Sequence, residues 1–276
     1  MSSLGLSVRQ VRYTNMAFWR NPASAFFTFV FPLMFLVIFT SLLGSGEVEF
    51  TKVEVPGRGP VPLVLDLSTY FVSAMAAFGV ISATYTNIAI TVSFQRDQGI
   101  LKRLRGTPLP SWSYLFARVV HSTLVAMLLV VITLVFGTVA YGTDLPTGGP
   151  LLEFIATFLV GSLAFSALAL AVTAVIPNAD AAPPIVNATI LPLLFLSGIF
   201  IPLGDDAPAW ITAVGNIFPV KHFADAMQAG YLGNTTLQGT SVRAFAFDWS
   251  DLAVVAAWGL GGLILASRFF SWEPRK

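Results

Sequence analysis

Long stretches without a charged side chain are the feature of this sequence that most constrains its fold. A helix rises about 1.5 Å per residue and the hydrocarbon layer of a bilayer is about 30 Å thick, so about twenty residues can cross it. Each charge-free stretch that reaches this length is therefore a candidate transmembrane helix. Five stretches qualify: 21–46, 67–95, 119–143, 154–179 and 181–204.

A sixth apolar stretch, 252–270, holds one charge, Arg268, close enough to its end for the side chain to reach the lipid headgroups. The composition agrees, since 55% of the 276 residues are hydrophobic and 11% are charged, against about a quarter charged in a soluble domain. An ordinary soluble globule is excluded. We therefore expect one all-α membrane domain over 1–276. Its six predicted transmembrane helices are 24–44, 67–94, 113–141, 152–177, 182–203 and 251–270.

The charges that separate these spans are segregated by sign, which predicts their orientation. In the segments on the side of the two termini, basic residues outnumber acidic ones by eleven to three, and on the opposite side acidic residues lead by eleven to four. Basic residues near span ends stay in the cytoplasm. We therefore expect a multi-pass protein of the cell membrane, plasma or inner, with both termini cytoplasmic. A cleaved signal peptide is the competing interpretation, but the apolar run 25–43 exceeds the roughly 7 to 15 residues typical of one.

The N-terminal segment, 1–22, predicts a helix that lies in the inner membrane interface. Its apolar side chains fall on one helical stripe, and arginines are spread over the opposite side. An orienting basic tail is the alternative interpretation. The stripe consists of Leu4, Val8, Val11, Phe18 and Trp19.

Two further segments are predicted on the outer side. The loop 45–66 is rich in Pro and Gly, so a solvated loop is the default and a small hairpin is the alternative. Residues 207–220 are apolar, but fourteen residues form a helix of only about 21 Å, which cannot cross. We expect 207–230 to form a re-entrant helical hairpin that caps the bundle, with an amphipathic surface segment as the alternative.

The sequence contains no catalytic or metal-binding constellation. It has no cysteine and no Gly-Lys pair, which excludes a thiolate site and a P-loop in this chain. The two histidines, His121 and His222, are predicted on opposite sides of the membrane, so a shared metal site is disfavoured. We expect no catalytic residue, metal, cofactor or nucleic-acid partner for this chain, and a membrane-embedded enzyme is disfavoured.

The second span carries small and hydroxylated residues at helical spacing, which suits either close helix packing or a path for a solute. No span carries an acidic residue near mid-membrane, where ion-driven pumps commonly keep one. A secondary carrier or channel is therefore the less favoured class of transporter. The stripe comprises Ser73, Ala77, Thr84, Asn87 and Thr91.

The segment 94–118, between the second and third spans, predicts a short helix over 97–106 that ends before Pro108. One part of this helix is apolar and the rest is basic. A helix of about two turns is marginal alone, so its apolar patch should rest on either the membrane surface or a cytoplasmic protein. The patch consists of Ile100, Leu101 and Leu104, and the basic residues around it are Lys102, Arg103 and Arg105.

The same segment contains a set of residues in a fixed order: Arg96, Gly99, Leu101, Arg103, Leu104, Thr107, Pro108 and Leu109. This order resembles the cytoplasmic signature of type-2 ABC transporter permeases, the exporter class that includes daunorubicin-resistance permeases. The family pattern begins with an acidic residue, which is Gln95 here. The resemblance extends to the amphipathic N-terminus, the six spans and the run 197–203, which precedes a Pro-rich hairpin.

The resemblance implies the permease subunit of an exporter that works by alternating access. Two six-span subunits, identical or related, would form the pathway in the membrane lipid, and two separate nucleotide-binding ATPase subunits would bind ATP and Mg beneath them. In this family the helix over 97–106 is the coupling helix, which contacts the ATPase subunit. The coupling residues implied are Arg96, Gly99, Ile100, Leu101, Lys102, Arg103, Leu104 and Arg105.

The resemblance also implies that the second and fifth spans face the pathway. A lipophilic drug or lipid is the cargo we expect. Export of a polysaccharide or lipid-linked glycan is the alternative, because aromatic linings suit both kinds of cargo. The implied pathway residues are Thr84, Asn87, Thr91, Asn187 and Phe195.

Overall fold

The computed structural model describes residues 3–43, 47–55, 59–203, 207–237, 240–243 and 246–274. Helices make up most of these residues, and two short β-hairpins accompany them. The helices are α1 Ser3–Trp19, α2 Pro22–Leu43, α3 Leu67–Ile81, α4 Asn87–Asp97, α5 Ile100–Arg105, α6 Ser111–Tyr141, α7 Gly149–Val172, α8 Ala182–Phe195, α9 Ala209–Gly215, α10 Pro219–Leu232 and α11 Trp249–Phe269. The strands are β1 Glu47–Val55, β2 Gly59–Asp66, β3 Asn234–Leu237 and β4 Thr240–Arg243.

Five helices among the described residues are long and apolar enough to cross a membrane: α2, the continuous α3–α4, α6, α7 and α11. A π-helical turn over Ser82–Thr86 joins α3 to α4, so one uninterrupted helix runs over Leu67–Asp97. Each of the five begins and ends within a few residues of a predicted span. This is the architecture of a multi-pass membrane protein.

The predicted fifth span, 182–203, is helical over a shorter length than expected. The helix α8 ends at Phe195 after 14 residues, since Pro192 removes a backbone donor from its last turn. The chain then turns at Gly198, where φ is +80°, and the hydroxyl of Tyr70 in α3 donates a hydrogen bond to the Gly198 carbonyl. Helix length alone therefore does not establish a sixth crossing.

The central helix of the bundle is α3–α4. In its apolar stretch 83% of the residues are buried, compared with 22% in α2. Small side chains allow the neighbouring helices to approach, and Ser73 and Ala77 are both fully buried. A Cβ atom on Gly79 would lie 2.8 Å from the Leu129 side chain of α6. Close packing is thus the interpretation that fits this part of the polar stripe.

The two ends of the bundle differ. At one end, which we call the elbow end, the chain passes from α4 through α5 into α6, beside α1. At the other, the hairpin end, α9 and α10 form a helix pair, and α10 packs against α3, α7 and α11. This pair lies where a re-entrant hairpin was predicted over 207–230. The loop expected to be solvated instead contains the antiparallel strands β1 and β2.

The helix α1 packs along α6. The Ser7 and Ser113 hydroxyls are 3.0 Å apart, and the Phe18 ring lies edge-on to His121 with centroids 5.3 Å apart. Val8 and Trp19 are exposed, at 66% and 49%. The stripe predicted from the sequence is therefore divided, with Phe18 directed at the bundle and these two residues directed away.

Candidate functional site

The elbow, residues 97–110, is the turn by which the chain leaves α4 and enters α6. Gly99 has φ +68°, a left-handed conformation that glycine adopts without strain. Its carbonyl accepts a hydrogen bond from the Arg103 N–H at 3.1 Å, which closes the first turn of α5. At the other end of α5, the Thr107 hydroxyl donates to the Leu104 carbonyl at 2.7 Å. The helix predicted over 97–106 is thus the six-residue α5, separated from α4 by Gly99.

One side of α5 packs against the chain itself. Leu101 is fully buried in the hydrophobic core, and Leu104 is half-buried against it. Leu104 also lines a small crevice with Tyr114 of α6 and Trp272, which follows α11. The apolar patch therefore rests on the protein's own core, an arrangement that sequence analysis did not consider. Leu101 supports the elbow from inside and is not available to another protein.

The other side of α5 is exposed and basic. Lys102, Arg103 and Arg105 all extend into solvent, and none of them forms an ion pair within the described part of the chain. Ile100, the remaining member of the predicted patch, is half-buried beside them. A partner surface that complements this face would be acidic, because opposite charges both steer association and fix its register.

Arg96, the last basic residue of α4, is buried rather than exposed. It is 1% exposed, and its guanidinium donates to the carbonyl oxygens of Thr173 and Ile176 at 2.7 and 2.5 Å. The last carbonyls of a helix lack partners within it, and a cation there is favourable. Arg96 therefore caps α7 at Thr173 and also holds the turn after the helix at Ile176. It lies inside the protein rather than on the surface that a partner would contact.

The residue next to Arg96 strengthens the same connection. The carboxylate of Asp97 accepts a hydrogen bond from the backbone N–H of Ala179 at 3.3 Å. Residues 96 and 97 together thus join the elbow to the segment between α7 and α8. This connection could not be predicted from the sequence, since backbone groups about eighty positions away leave no side-chain pattern to detect.

Gln95 occupies the position that is acidic in the signature. Its side-chain oxygen accepts a hydrogen bond from the Tyr114 hydroxyl at 2.7 Å, and the Arg118 Nε donates to the same hydroxyl at 3.4 Å. A neutral amide is sufficient here because its partner is a neutral hydroxyl rather than a cation. The contact fixes α4 to the first turn of α6 on the far side of the elbow.

Comparison with known protein families identifies the family of this chain. Residues 9–232 match the family described as ABC-2 type transporter, a range that covers most of the chain and includes α5 and both helices joined by Arg96. The chain belongs to the ABC-2 type transporter family. The resemblance drawn from the elbow residues is thereby confirmed.

Individual relatives within the ABC-2 family are distant. The probable multidrug ABC transporter permease YbhR of Escherichia coli (strain K12) is 26% identical over 173 residues, 63% of this chain and 46% of that protein. The putative transport permease ycf38 of Porphyra purpurea is 22% identical over 237 residues, 86% and 76% of the two chains. YvfS of Bacillus subtilis (strain 168), a putative transport permease, is 22% identical over 204 residues, 74% and 76%. The match spans about half the length of YbhR.

The candidate pathway residues of this ABC-2 family member do not share one environment. Thr84 is fully buried and its hydroxyl donates to the Val80 carbonyl of its own helix at 2.6 Å. Asn87 and Thr91 are half-buried on α4. Only the two candidates on α8 are well exposed: Asn187 and Phe195. Thr84 thus packs within the bundle, and the remaining four lie at or near its surface.

A cluster of phenylalanines joins α2, α3 and the turn after α8, and sequence analysis did not single it out. Phe200 is its centre, with ring centroids 5.8 Å from Phe35, 6.0 Å from Phe39 and 5.4 Å from Phe78. The sequence did contain a signal, because Phe31, Phe35 and Phe39 recur at every fourth position. The cluster gives the membrane part of the protein an aromatic interior.

The histidines lie at opposite ends of the bundle. His121 is buried beside Phe18 near the elbow end, whereas His222 contacts Asp251 at the hairpin end. Within the described residues, no group of three or more His, Asp or Glu side chains could hold a metal ion. The positions of the two histidines give no support to a shared site.

Proposed function

We propose that this chain is the transmembrane permease subunit of an ATP-driven exporter that moves a lipophilic drug or lipid out of the cell. Separate nucleotide-binding subunits bind ATP and Mg, and this chain contributes no catalytic residue. The observation that carries the proposal is the exposed basic face of α5, formed by Lys102, Arg103 and Arg105 on a helix that Leu101 anchors in the core. Such a face suits a soluble subunit with an acidic groove.

The elbow can transmit a movement because it is fixed to several helices at once. Leu101 anchors α5 in the core, Tyr114 joins α6 to the end of α4, and Arg96 joins that end to α7. A displacement of α5 by a docked ATPase subunit therefore moves the ends of three long helices together. ATP binding then shifts the equilibrium between the inward-facing and outward-facing packings of the helices, by as much as ATP binds one packing better than the other. This switching between two packings is alternating access.

We propose six crossings, with α8 and the segment 196–203 together forming the fifth. Irregular backbone is tolerated at membrane depth where it is packed against protein, and residues 197–200 are buried. Six crossings place both termini on one side, which the charge distribution makes cytoplasmic in a plasma or inner membrane. The exposed face of α8, with Asn187 and Phe195, would line the pathway against a second permease subunit, identical or related.

The cargo is proposed from two observations. The aromatic cluster around Phe200 suits apolar molecules better than ionic ones. YbhR, a relative of this chain, is described as a probable multidrug permease. Both favour a lipophilic cargo.

Reversal of two charges on the elbow tests the proposed docking. We expect the double variant Lys102→Glu/Arg103→Glu to lower both co-purification of the ATPase subunit and ATP-driven efflux of ethidium by at least about tenfold, since like charges across an interface cost several kcal/mol. The measurements are quantitative pull-down from mild detergent and ATP-driven uptake of ethidium into inverted vesicles, which corresponds to efflux from a cell. The spans should remain folded, because both side chains are exposed.

The matched control reverses two exposed basic residues that lie outside the elbow, Arg12→Glu/Arg20→Glu. It should leave pull-down near the wild-type level. If the elbow variant retains its ATPase subunit and its efflux, docking at α5 is refuted. Uphill transport by the purified chain alone, without any ATPase, would refute the permease assignment itself.

A further inference from the structure

The side chain of His222 joins three helices at the hairpin end. It lies in the first turn of α10, and its Nδ1 is 2.6 Å from the Asp251 carboxylate in the first turn of α11. Its Nε2 is 2.9 Å from the backbone carbonyl of Asn216, just after α9. The His222 and Asp251 side chains are only 15% and 20% exposed, so the contact is largely shielded from solvent.

Both neighbours of the imidazole ring are hydrogen-bond acceptors. A carbonyl oxygen accepts only, and so does an ionised carboxylate. A neutral imidazole has one N–H and can satisfy one of the two, whereas an imidazolium has two N–H groups and satisfies both. The geometry around His222 therefore matches the protonated ring.

We propose that His222 is a positioning residue that acts as a proton-dependent latch, holding the helix pair α9–α10 against α11 when its ring is protonated. Loss of the proton leaves either the Asn216 carbonyl or the Asp251 carboxylate without a donor. The helix pair then separates from α11 more readily. This goes beyond the proposed transport function, and its test does not require that function.

The charged groups around His222 favour its protonated form. Asp251 faces it from α11, and Asp225 lies on its own helix, where the Lys221 ammonium is 2.5 Å from that carboxylate. Asp248, at the start of α11, is a further carboxylate nearby. Partial burial alone would lower the pKa of His222, but the hydrogen bonds to Asp251 and Asn216 and the charges of the carboxylates outweigh it, so the pKa is raised.

The sign of the pH dependence follows from that shift. Because the pKa of His222 is higher in the folded protein than the ordinary value of about 6.5, the proton stabilises the docked hairpin. This contribution is fully present below pH 6.5 and is lost as the pH rises through the folded-state pKa. The latch is therefore closed in mildly acidic solution and open in alkaline solution.

Other contacts hold the hairpin near α11 without titrating in this range. The Trp258 indole N–H donates to the Ile217 carbonyl at 3.1 Å, and its ring stacks on Phe218 with centroids 5.9 Å apart. The helix pair therefore loosens rather than dissociates when His222 loses its proton. Asp251 also lines a cavity of about 520 Å³ beneath the pair, so opening of the latch changes the wall of that cavity.

Hydrogen–deuterium exchange of the full chain in nanodiscs, at about pH 5.5 and about pH 9, tests the latch. Peptides from 209–232 are compared between wild type and His222→Gln at the same pH, so that the intrinsic exchange rate cancels. At the lower pH we expect these amides to exchange about two- to tenfold more slowly in the wild type, the factor for one hydrogen bond. At the higher pH the two proteins should exchange alike.

A second variant and a control complete the experiment. Asp251→Asn removes the other partner of the contact and should abolish the same pH-dependent difference in amide exchange. Lys221→Gln removes a charge from the same helix without touching Asp251 and should leave the difference in place. Equal exchange of wild type and His222→Gln at the lower pH, or an equal difference at both pH values, would overturn the proposal.

Discussion

Replacement of Arg96 by methionine is expected to lower the free energy of unfolding by about 3 kcal/mol, since it removes two charge-assisted hydrogen bonds from the interior. Methionine keeps much of the volume, so the loss reports the Thr173 and Ile176 carbonyls left without a donor rather than a cavity. The measurement is reversible unfolding in detergent micelles. Proteolysis at the elbow should also accelerate, because α4 is no longer attached to the end of α7.

Two further variants test whether the loss of stability in Arg96→Met comes from the hydrogen bonds of the guanidinium. Arg96→Lys keeps the charge, but a single ammonium lacks the planar fork that reaches two carbonyls, so we expect an intermediate loss. Arg103→Met removes an exposed arginine from the same elbow and should change stability by less than about 0.5 kcal/mol. If Arg96→Met costs no more than Arg103→Met, the capping role is wrong.

The membrane helices could be predicted because hydrophobic length is a local property. A stretch such as 119–143, free of charges, must be buried in lipid or protein wherever it lies in the fold, and α6 covers all of it except the last two residues. The elbow could also be located, since Gly99, Gly106 and Pro108 mark its limits in the sequence.

The roles of individual elbow residues could not be predicted, because they depend on distant backbone. The resemblance places Arg96 among the residues that contact the ATPase subunit, yet its partners are the carbonyls of Thr173 and Ile176. Leu101 was expected to meet the membrane or a partner, and instead it meets the core. Neither outcome follows from the spacing of residue types along the sequence, because that spacing does not show which distant segments pack against a helix.

The end of α8 was overlooked for a different reason. Absence of charge was the criterion for a span, and 181–204 satisfies it. Hydrogen bonding within the helix imposes a second condition, which Pro192 weakens and the left-handed Gly198 ends. Both residues are visible in the sequence, so a criterion that includes helix breakers would have shortened the predicted helix.

The close packing of α7 on α11 leads to the second large effect. A Cβ atom on Gly259 would lie 2.8 Å from the Ala164 Cα, and one on Gly262 would lie 2.9 Å from the Leu168 backbone nitrogen. Backbone cannot move aside as a flexible side chain can, so Gly259→Ala and Gly262→Ala must push the helices apart. We expect each to lower the free energy of unfolding by about 2 kcal/mol, measured by unfolding in detergent.

Gly261 lies between these two glycines and provides the control. A Cβ atom there meets no atom within 4 Å, so Gly261→Ala adds only the helix preference of alanine and should stabilise the protein by up to about 1 kcal/mol. The same Gly→Ala substitution is thus expected to destabilise the protein at positions 259 and 262 and to stabilise it at position 261. Equal changes in the free energy of unfolding at all three positions would mean that glycine acts through the flexibility of α11. The packing of α11 on α7 would then not require glycine.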